Sequence, residues 1–262
     1  MNNPLISIIT VNLNNAAGLG KTICSVIEQT YKPIEFIVID GDSTDGSKPI
    51  LEKYSQQIQV TISEKDAGIY NAMNKGITKS TGEYLLFLNS GDILLDKNPL
   101  QQLISTGNNS DLIYGNIQVS DVDKKRNGIF PDILSFKFFY INSLPHPCTL
   151  IKRSLFNLAG LYREDLKIVS DWAFFVLAIC KYNCSYKHVN VIVTDFDSTG
   201  ISSTQLQLIE KERSIVLNEH FAPFINDYRD LYYLDNEVNK ARKLLGYRIH
   251  NKLLKIFSGN GK

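Results

Sequence analysis

The sequence predicts an α/β fold, in which helices flank a central sheet. Two observations support this prediction. Apolar runs over 5–11, 35–39, 60–62 and 84–88 have the length and composition of buried strands. Segments with helical spacing of apolar residues lie between these runs, and such alternation is typical of βαβ units with parallel strands. We therefore expect a sheet that is covered on both faces.

The bulk properties of the chain exclude several classes of protein. Its 262 residues suit one large domain or somewhat more, with 44% hydrophobic and 21% charged residues, as in ordinary globular proteins. A net charge of +1 argues against a nucleic-acid-binding protein. No signal peptide and no membrane-spanning run is visible. The four cysteines show no CxxC spacing, which favours thiols in a reducing cytoplasm over a zinc site.

The first half of the chain contains three predicted helices. The turn-like residues 12–15 can cap a first helix, which carries an apolar stripe and ends before Pro33. A short helix is predicted over 49–54, and another over 69–78.

The second half is less regular. We predict strands over 112–119 and 189–193, an exposed turn over 121–127, an irregular loop over 145–147 and a helix over 171–182. From about Gln205 onward the pattern is helical.

The last part of the chain changes in composition. Cationic residues alternate with Leu, Ile and Phe over 240–257, and no acidic residue lies between Lys240 and Lys262. This composition is typical of a helix at a membrane surface. An ordinary packing helix or an oligomer contact is the alternative.

Acidic residues directly follow two of the buried strands. Asp40 follows the strand over 35–39, and Asp92 ends the turn after the strand over 84–88. Because open α/β sheets bind ligands at the carboxyl ends of their strands, we expect a site for a metal and a phosphorylated ligand there. Gly41 leaves room for a ligand beside Asp40.

Two further acidic stretches have alternative explanations. Asp42 and Asp45 are expected to cap the next helix, because Asp is favoured at turns and helix starts. After the third strand, residues 63–76 combine charges, a glycine and a helix start, which can orient a base or a phosphate. The alternative is that Asp66 only caps the helix.

Five stretches, taken in order, resemble family 2 glycosyltransferases of bacterial surface-polysaccharide synthesis. They are Ile6 to Asn12, Ser25 to Tyr31, Val38 to Ser47, Ser63 to Gly76 and Leu86 to Asp92. The resemblance is specific over roughly the first hundred residues, weaker but continuous up to about Ser203 and absent afterwards. It implies a GT-A type fold, with a Rossmann-like mixed sheet flanked by helices and a C-terminal helical extension.

The resemblance also implies a domain organisation. We expect a glycosyltransferase domain over 1–204, with a nucleotide-sugar-binding half over 1–98 and an acceptor half over 99–204. A helical extension over 205–262, with the basic amphipathic tail, would follow it.

The implied activity is inverting transfer of a sugar from a UDP- or GDP-sugar to a glycan or lipid-linked acceptor in polysaccharide synthesis. Asp40 and Asp66 match nucleoside contacts of the family, and Thr10 lies at the strand end that lines the same pocket. The Asn89–Asp92 segment matches the Asp-x-Asp motif for Mn²⁺ or Mg²⁺, but only Asp92 keeps a carboxylate. Diphosphate oxygens and water can complete the shell of such an ion.

Inversion requires a base that takes the proton of the acceptor hydroxyl. The family places this base at the start of a helix, and Asp171 matches that place, where a carboxylate is also favoured by the helix dipole. His146 and Trp172 are expected near the acceptor, with a structural role for His146 and simple packing for Trp172 as alternatives. Residues 197–203 resemble an element that closes over the donor phosphates.

Three other classes of function stay open at this point. A nucleotidyltransferase would carry a Gly-rich basic loop near the first strand, where residues 12–21 offer only Lys21. A retaining glycosyltransferase would differ in the stereochemistry of its product. A non-catalytic nucleotide-sugar-binding protein would need neither Asp92 nor Asp171. We expect a cytoplasmic protein that contacts the inner face of the membrane through 240–257; its oligomeric state stays open.

Overall fold

A computed structural model describes residues 3–107, 109–120, 125–197, 205–243, 246 and 248–252. The chain divides into two compact units, Met1–Ile209 and Glu210–Lys262. Among the described residues, no helix is long and apolar enough to cross a membrane.

The strands of the first unit form one mixed sheet. They are β1 (Ile6–Asn12), β2 (Ile34–Asp40), β3 (Val60–Ser63), β4 (Tyr84–Phe87), β5 (Ile93–Leu94), β6 (Leu112–Ser120), β7 (Lys125–Gly128), β8 (Thr149–Lys152) and β9 (Tyr186–Asp197). The order across the sheet is β3-β2-β1-β4-β8-β6-β9-β5, and β7 pairs with β6. β1 runs parallel to β2 and β4, whereas β8 runs antiparallel to β4 and β6. The α/β class with a mixed sheet is confirmed.

Helices flank this sheet. They are α1 (Ala16–Ile27), α2 (Ser47–Lys53), α3 (Ile69–Lys79), α4 (Pro99–Thr106), α5 (Phe136–Ile141), α6 (Leu155–Ala159) and α7 (Ser170–Val176). The next helix along the chain, α8 (Leu206–Lys243), belongs mainly to the second unit. A 3₁₀ turn at His146–Cys148 precedes β8, and a π-helical turn at Leu177–Lys181 follows α7. The long C-terminal helix α8 is interrupted at Phe221, two residues before Pro223, because proline cannot continue a regular helix.

The core of the first unit lies around the two central parallel strands. Every residue of β1 and β4 is buried, as expected for strands that are covered on both faces. The apolar face of α1, with Leu19, Ile23 and Val26, belongs to the same core. Full burial of a large aliphatic side chain stabilises the fold by about 1.5–3 kcal/mol. Burial of these strands therefore fixes the position of their carboxyl ends.

Two predictions about local structure need correction. The turn predicted over 121–127 is wrong for its last part, because Lys125–Gly128 form β7, an edge strand that pairs antiparallel with β6. A stretch of charged residues is typical of an exposed turn, but charged residues are also common on exposed edge strands. Residues 121–124 lie outside the described part. The helix predicted over 171–182 ends as a regular helix at Val176.

Candidate active site

The carboxyl ends of the first three strands meet around Asp40. In the parallel registers, Asn12 lies beside Asp40 and Asp40 lies beside Ser63. The Asp40 carboxylate is 0% exposed and accepts hydrogen bonds from Asn12 Nδ2 (2.8 Å), Ser43 N (3.0 Å) and Ser63 Oγ (2.7 Å). Asp40 therefore joins β1, β2 and β3 at the edge where the ligand site is predicted.

The electrostatics of Asp40 follow from these contacts. Burial alone would raise its pKa, but the hydrogen bonds from Ser43, Ser63 and Asn12 outweigh burial and lower the pKa below its ordinary value. The carboxylate is therefore charged at neutral pH. Because Asp40 is buried, its carboxylate is not exposed at this edge.

Thr10 has a similar place in the fold. It is fully buried, and its hydroxyl donates to the Leu88 carbonyl oxygen at 2.7 Å. This contact joins β1 to the segment that follows β4, and so fixes the two strand ends relative to each other.

Of the two acidic residues predicted to cap the next helix, Asp45 contacts helix starts and Asp42 does not. Asp45 Oδ2 accepts from the backbone N–H of Ala16 at 2.7 Å, and Asp45 Oδ1 accepts from Ser47 Oγ at 2.6 Å. It thus serves the first residues of both α1 and α2. Asp42 forms a surface ion pair with Lys48 at 2.7 Å.

Asp66 lies against the same edge. Its Oδ1 is 2.6 Å from Lys75 Nζ, which also lies 2.7 Å from Glu64 Oε1. A Cβ atom added to Gly41 would be 3.2 Å from Asp66 Oδ2. Asp66 therefore borders the backbone of the Asp40 loop. The helix-capping alternative does not describe Asp66, because α3 begins after Gly68 and no side chain caps it.

The Asn89–Asp92 turn is held by α1. Thr22 Oγ1 donates to the Asp92 carbonyl oxygen at 2.7 Å and accepts from Gly91 N at 3.0 Å, while Asn15 Nδ2 donates to the Ser90 carbonyl oxygen at 2.9 Å. Gly91 has a φ of 110°, a conformation that L side chains rarely adopt. This turn is therefore a specific structure at the end of β4.

The side chains of this turn limit the kind of metal site that it can form. Within the described residues, no group of three or more His, Cys, Asp or Glu side chains could hold an ion. Asp92, which is buried, offers one carboxylate. A single carboxylate fits Mg²⁺ or Mn²⁺ bound together with a nucleoside diphosphate, because such ions usually keep phosphate and water ligands. It does not fit a site built from protein ligands alone.

Asp171, the predicted base, lies in the first turn of α7 and is surrounded by donors. Its Oδ2 is 3.0 Å from His146 Nδ1, and its Oδ1 is 2.9 Å from Trp172 N. The Tyr70 hydroxyl is 3.1 Å from Asp171 Oδ1 and 2.6 Å from the Ile168 carbonyl oxygen, so two acceptors share its one proton.

These partners set the charge of Asp171. Burial would raise its pKa, but the hydrogen bonds from His146, Trp172 N and Tyr70, of which that from His146 contributes most, outweigh burial and lower the pKa below its ordinary value. Burial, followed by the charge of Asp171, raises the pKa of Tyr70 well above its usual range, so its hydroxyl stays protonated.

His146 connects Asp171 to the Asn89–Asp92 turn. Its Nε2 lies 3.2 Å from Asn89 Nδ2, at the opposite side of the ring from Asp171. The structure thus brings together Asn89, His146 and Asp171, which are far apart in the sequence. The oxygen of the Asn89 amide, Oδ1, is buried and has no hydrogen-bond partner among the described residues.

Trp172 lies in the protein interior. Its side chain is 1% exposed, and its Nε1 donates to the Phe139 carbonyl oxygen at 2.8 Å. This geometry corresponds to the packing alternative.

Two residues of the site had no predicted role, although both lie in the stretch Ser63 to Gly76. Tyr70 contacts Asp171, and Lys75 holds Asp66 and Glu64. The density of polar residues in that stretch was the available signal. Of the stretch 197–203, residues 198–203 lie outside the described part.

Comparison with known proteins places this geometry in context. The sequence pattern described as "Glycosyl transferase family 2" matches residues 7–158. A PGL/p-HBAD biosynthesis glycosyltransferase of Mycobacterium tuberculosis is 29% identical over 217 residues, which are 80% of this chain and 82% of the relative.

Two solved structures share the fold. TarS of S. aureus, residues 1–349 in complex with UDP-GlcNAc, has a TM-score of 0.61 at 18% identity, and the match covers 74% of this chain and 59% of that one. The mannosyltransferase PcManGT of Pyrobaculum calidifontis, in complex with GDP-Man and Mn²⁺, has a TM-score of 0.57 at 16% identity, with 86% and 65% covered. The GT-A type of fold is thereby confirmed.

Proposed function

The chain belongs to glycosyl transferase family 2, and on that premise we propose that it transfers a sugar, with inversion, from a nucleoside diphosphate donor to an acceptor hydroxyl. One observation carries the proposal most directly. The Asn89–Asp92 turn and Asp171 are linked through His146 in two hydrogen bonds, of 3.2 and 3.0 Å. The turn proposed to hold the leaving diphosphate and the candidate base therefore contact the two nitrogens of one imidazole ring.

The donor is a UDP- or GDP-sugar. The TarS structure contains UDP-GlcNAc and the PcManGT structure contains GDP-Man, and both share the fold of this chain. In this chain, Asp40 and Thr10 fix the strand ends beneath the proposed position of the nucleoside. Asp66 borders the same position beside Gly41. The transferred sugar is a hexose or an N-acetylhexosamine.

Asp92, together with the donor diphosphate, would hold a divalent cation, Mg²⁺ or Mn²⁺. When bound, such an ion neutralises charge that develops on the diphosphate leaving group. Asn89 contributes to the donor site through its amide, whose Oδ1 is buried without a partner among the described residues.

Asp171 acts as the base. The acceptor oxygen forms a bond to the anomeric carbon while the bond to the diphosphate breaks, and the hydroxyl proton passes to Asp171. A carboxylate with a low pKa suffices, because the hydroxyl becomes acidic only as the new bond forms. Alignment of the acceptor opposite the leaving group gives inversion and supplies much of the rate enhancement.

The acceptor is a glycan or lipid-linked sugar of polysaccharide synthesis, and His146 lies close to its hydroxyl. We propose that the basic tail, residues 240–257, brings the enzyme to the inner face of the membrane. Three cations in it, Lys240, Arg242 and Lys243, are exposed, and cations of this kind attract anionic lipids. Residues 244, 245, 247 and 253–257 of the tail lie outside the described part.

The experiment that tests this proposal is a screen of nucleotide sugars. UDP- and GDP-sugars are incubated with the protein and with Mn²⁺, Mg²⁺ or EDTA, with and without lipid-linked sugars, and nucleoside diphosphate release is measured. We expect release from one donor class, lost in EDTA and increased by an acceptor. If no donor is turned over although nucleotide sugars bind, the chain is a nucleotide-sugar-binding protein instead. Release of a nucleoside monophosphate or pyrophosphate would indicate a nucleotidyltransferase.

A further inference from the structure

We propose that Asn89 and His146 form one positioning unit: the Asn89 amide fixes the tautomer of His146, and His146 in turn holds Asp171 by its Nδ1–H. This inference rests on the proposed role of Asp171 as the base. It gives a function to Asn89, which occupies the position of the first acidic residue in the family's metal motif.

The argument begins at the carboxylate. A carboxylate only accepts hydrogen bonds, so the contact of 3.0 Å between Asp171 Oδ2 and His146 Nδ1 requires a proton on Nδ1. In a neutral imidazole, Nε2 is then an acceptor. Asn89 Nδ2, a donor, lies 3.2 Å from it. Each donor in the row Asn89, His146, Asp171 therefore faces an acceptor.

An aspartate in place of Asn89 would break this order. Its carboxylate could not donate to Nε2 and would instead favour a proton on that nitrogen, so the ring would become an imidazolium or the Nε2–H tautomer. The amide supplies the donor that keeps the Nδ1–H tautomer, and with it the bond to the base. The departure from the family motif at position 89 thus has a physical reason.

The unit matters because it fixes one side of the base. Trp172 N and Tyr70 contact Oδ1, whereas His146 contacts Oδ2. Without the third contact the carboxylate can rotate, and a small misplacement of a reacting group has a large effect on rate. Loss of the contact should therefore reduce kcat more than it changes the KM for the donor.

Two substitutions of His146 separate the positioning role from simple packing. His146→Asn keeps an amide N–H close to the place of Nδ1, whereas His146→Gln moves its amide toward the place of Nε2. We expect His146→Gln to lower kcat about 10- to 100-fold at little change in donor KM, as for other groups that orient a functional side chain. His146→Asn should retain most of kcat. Equal losses in both variants, with unchanged melting temperature, would overturn the proposal.

Two controls keep the outcomes distinct. His188→Gln changes a second histidine, which pairs with Asp132 at 2.6 Å outside this unit, and should leave kcat and donor KM unchanged. Asp171→Asn measured in parallel tests the proposed function itself. If Asp171→Asn is fully active, the assignment of the base fails. If it is inactive while both His146 variants equal the wild type, only the positioning unit fails.

The tautomer can also be read without turnover. Long-range ¹H–¹⁵N spectra distinguish Nδ1–H from Nε2–H, and the signals of His146 are those that disappear in His146→Asn. We expect the Nδ1–H tautomer with an unprotonated Nε2 in the wild type, and a protonated Nε2 in Asn89→Asp. An Nε2–H tautomer in the wild type would overturn the proposal even if no donor were found.

Discussion

Replacing Asp40 with asparagine should destabilise the first unit, although the two side chains have nearly the same shape. The carboxylate is fully buried and accepts from Asn12 Nδ2, Ser43 N and Ser63 Oγ. An asparagine amide has one acceptor oxygen. Whichever way it is turned, its NH₂ group faces at least one of these donors.

The expected magnitude follows from those contacts. A hydrogen bond to a charged group contributes about 1.5–3 kcal/mol, and a buried donor that loses its acceptor costs about 1–3 kcal/mol. We therefore expect Asp40→Asn to lower the free energy of unfolding by about 3 kcal/mol. For a unit of this size, that corresponds to a melting temperature lower by roughly 6–12 °C.

The assay is thermal and urea unfolding of Asp40→Asn beside Asp42→Asn. Asp42 belongs to the same loop but only forms a surface ion pair with Lys48, so its replacement should leave melting unchanged within error. Equal melting temperatures for the two variants would refute the account of Asp40.

Acidification gives a second check on Asp40. Its pKa is lower in the folded than in the unfolded protein, so its contribution is complete above the unfolded value and is lost as the pH falls through the folded value. The difference in stability between wild type and Asp40→Asn should therefore be constant at neutral pH and shrink below about pH 4.

Three further predictions concern the donor, the metal and the tail. Gly41→Ala should raise the donor KM several-fold, because a Cβ there would lie 3.2 Å from both Asp66 Oδ2 and Leu13 Cδ1. The control Gly20→Ala, whose added Cβ has its nearest neighbour at 4.0 Å, should leave the donor KM unchanged. An equal donor KM in the two variants would contradict the prediction. Asp92→Asn should raise the Mn²⁺ concentration needed for half-maximal activity, measured by titration from EDTA-treated protein; an unchanged requirement would remove Asp92 from the metal site. Replacing Lys240, Arg242 and Lys243 with glutamine should reduce sedimentation with anionic liposomes, since each cation near such a surface contributes about 1 kcal/mol; equal sedimentation would contradict the membrane role.

Much of the nucleotide-binding edge could be predicted because its signals are local. Largely apolar strands end in Asp40 and just before the Asn89–Asp92 turn, and parallel strands bring such ends to one edge. The pattern did not show that Asp40 lies beneath that edge, because its burial depends on Asn12 and Ser63 from other strands.

The acceptor half was harder to predict for two physical reasons. Short elements such as α5 and β8 contain too few residues for a period to be visible in the sequence. The bonds from His146 to Asn89 and Asp171 join residues 57 and 25 positions away, so only the tertiary fold brings them together. The sequence could suggest each of these residues, but not that Asn89, His146 and Asp171 are hydrogen-bonded in that order.

The central claim is that Asp171 is the base of an inverting transfer, and one measurement tests it most directly. Single-turnover transfer is followed for the wild type, Asp171→Asn and the control Asp165→Asn, whose carboxylate pairs with Arg163 at the surface. We predict that Asp171→Asn binds the donor normally but transfers it about 10²–10⁴-fold more slowly, whereas Asp165→Asn matches the wild type. Transfer by Asp171→Asn at the wild-type rate, with normal donor binding, would contradict the account.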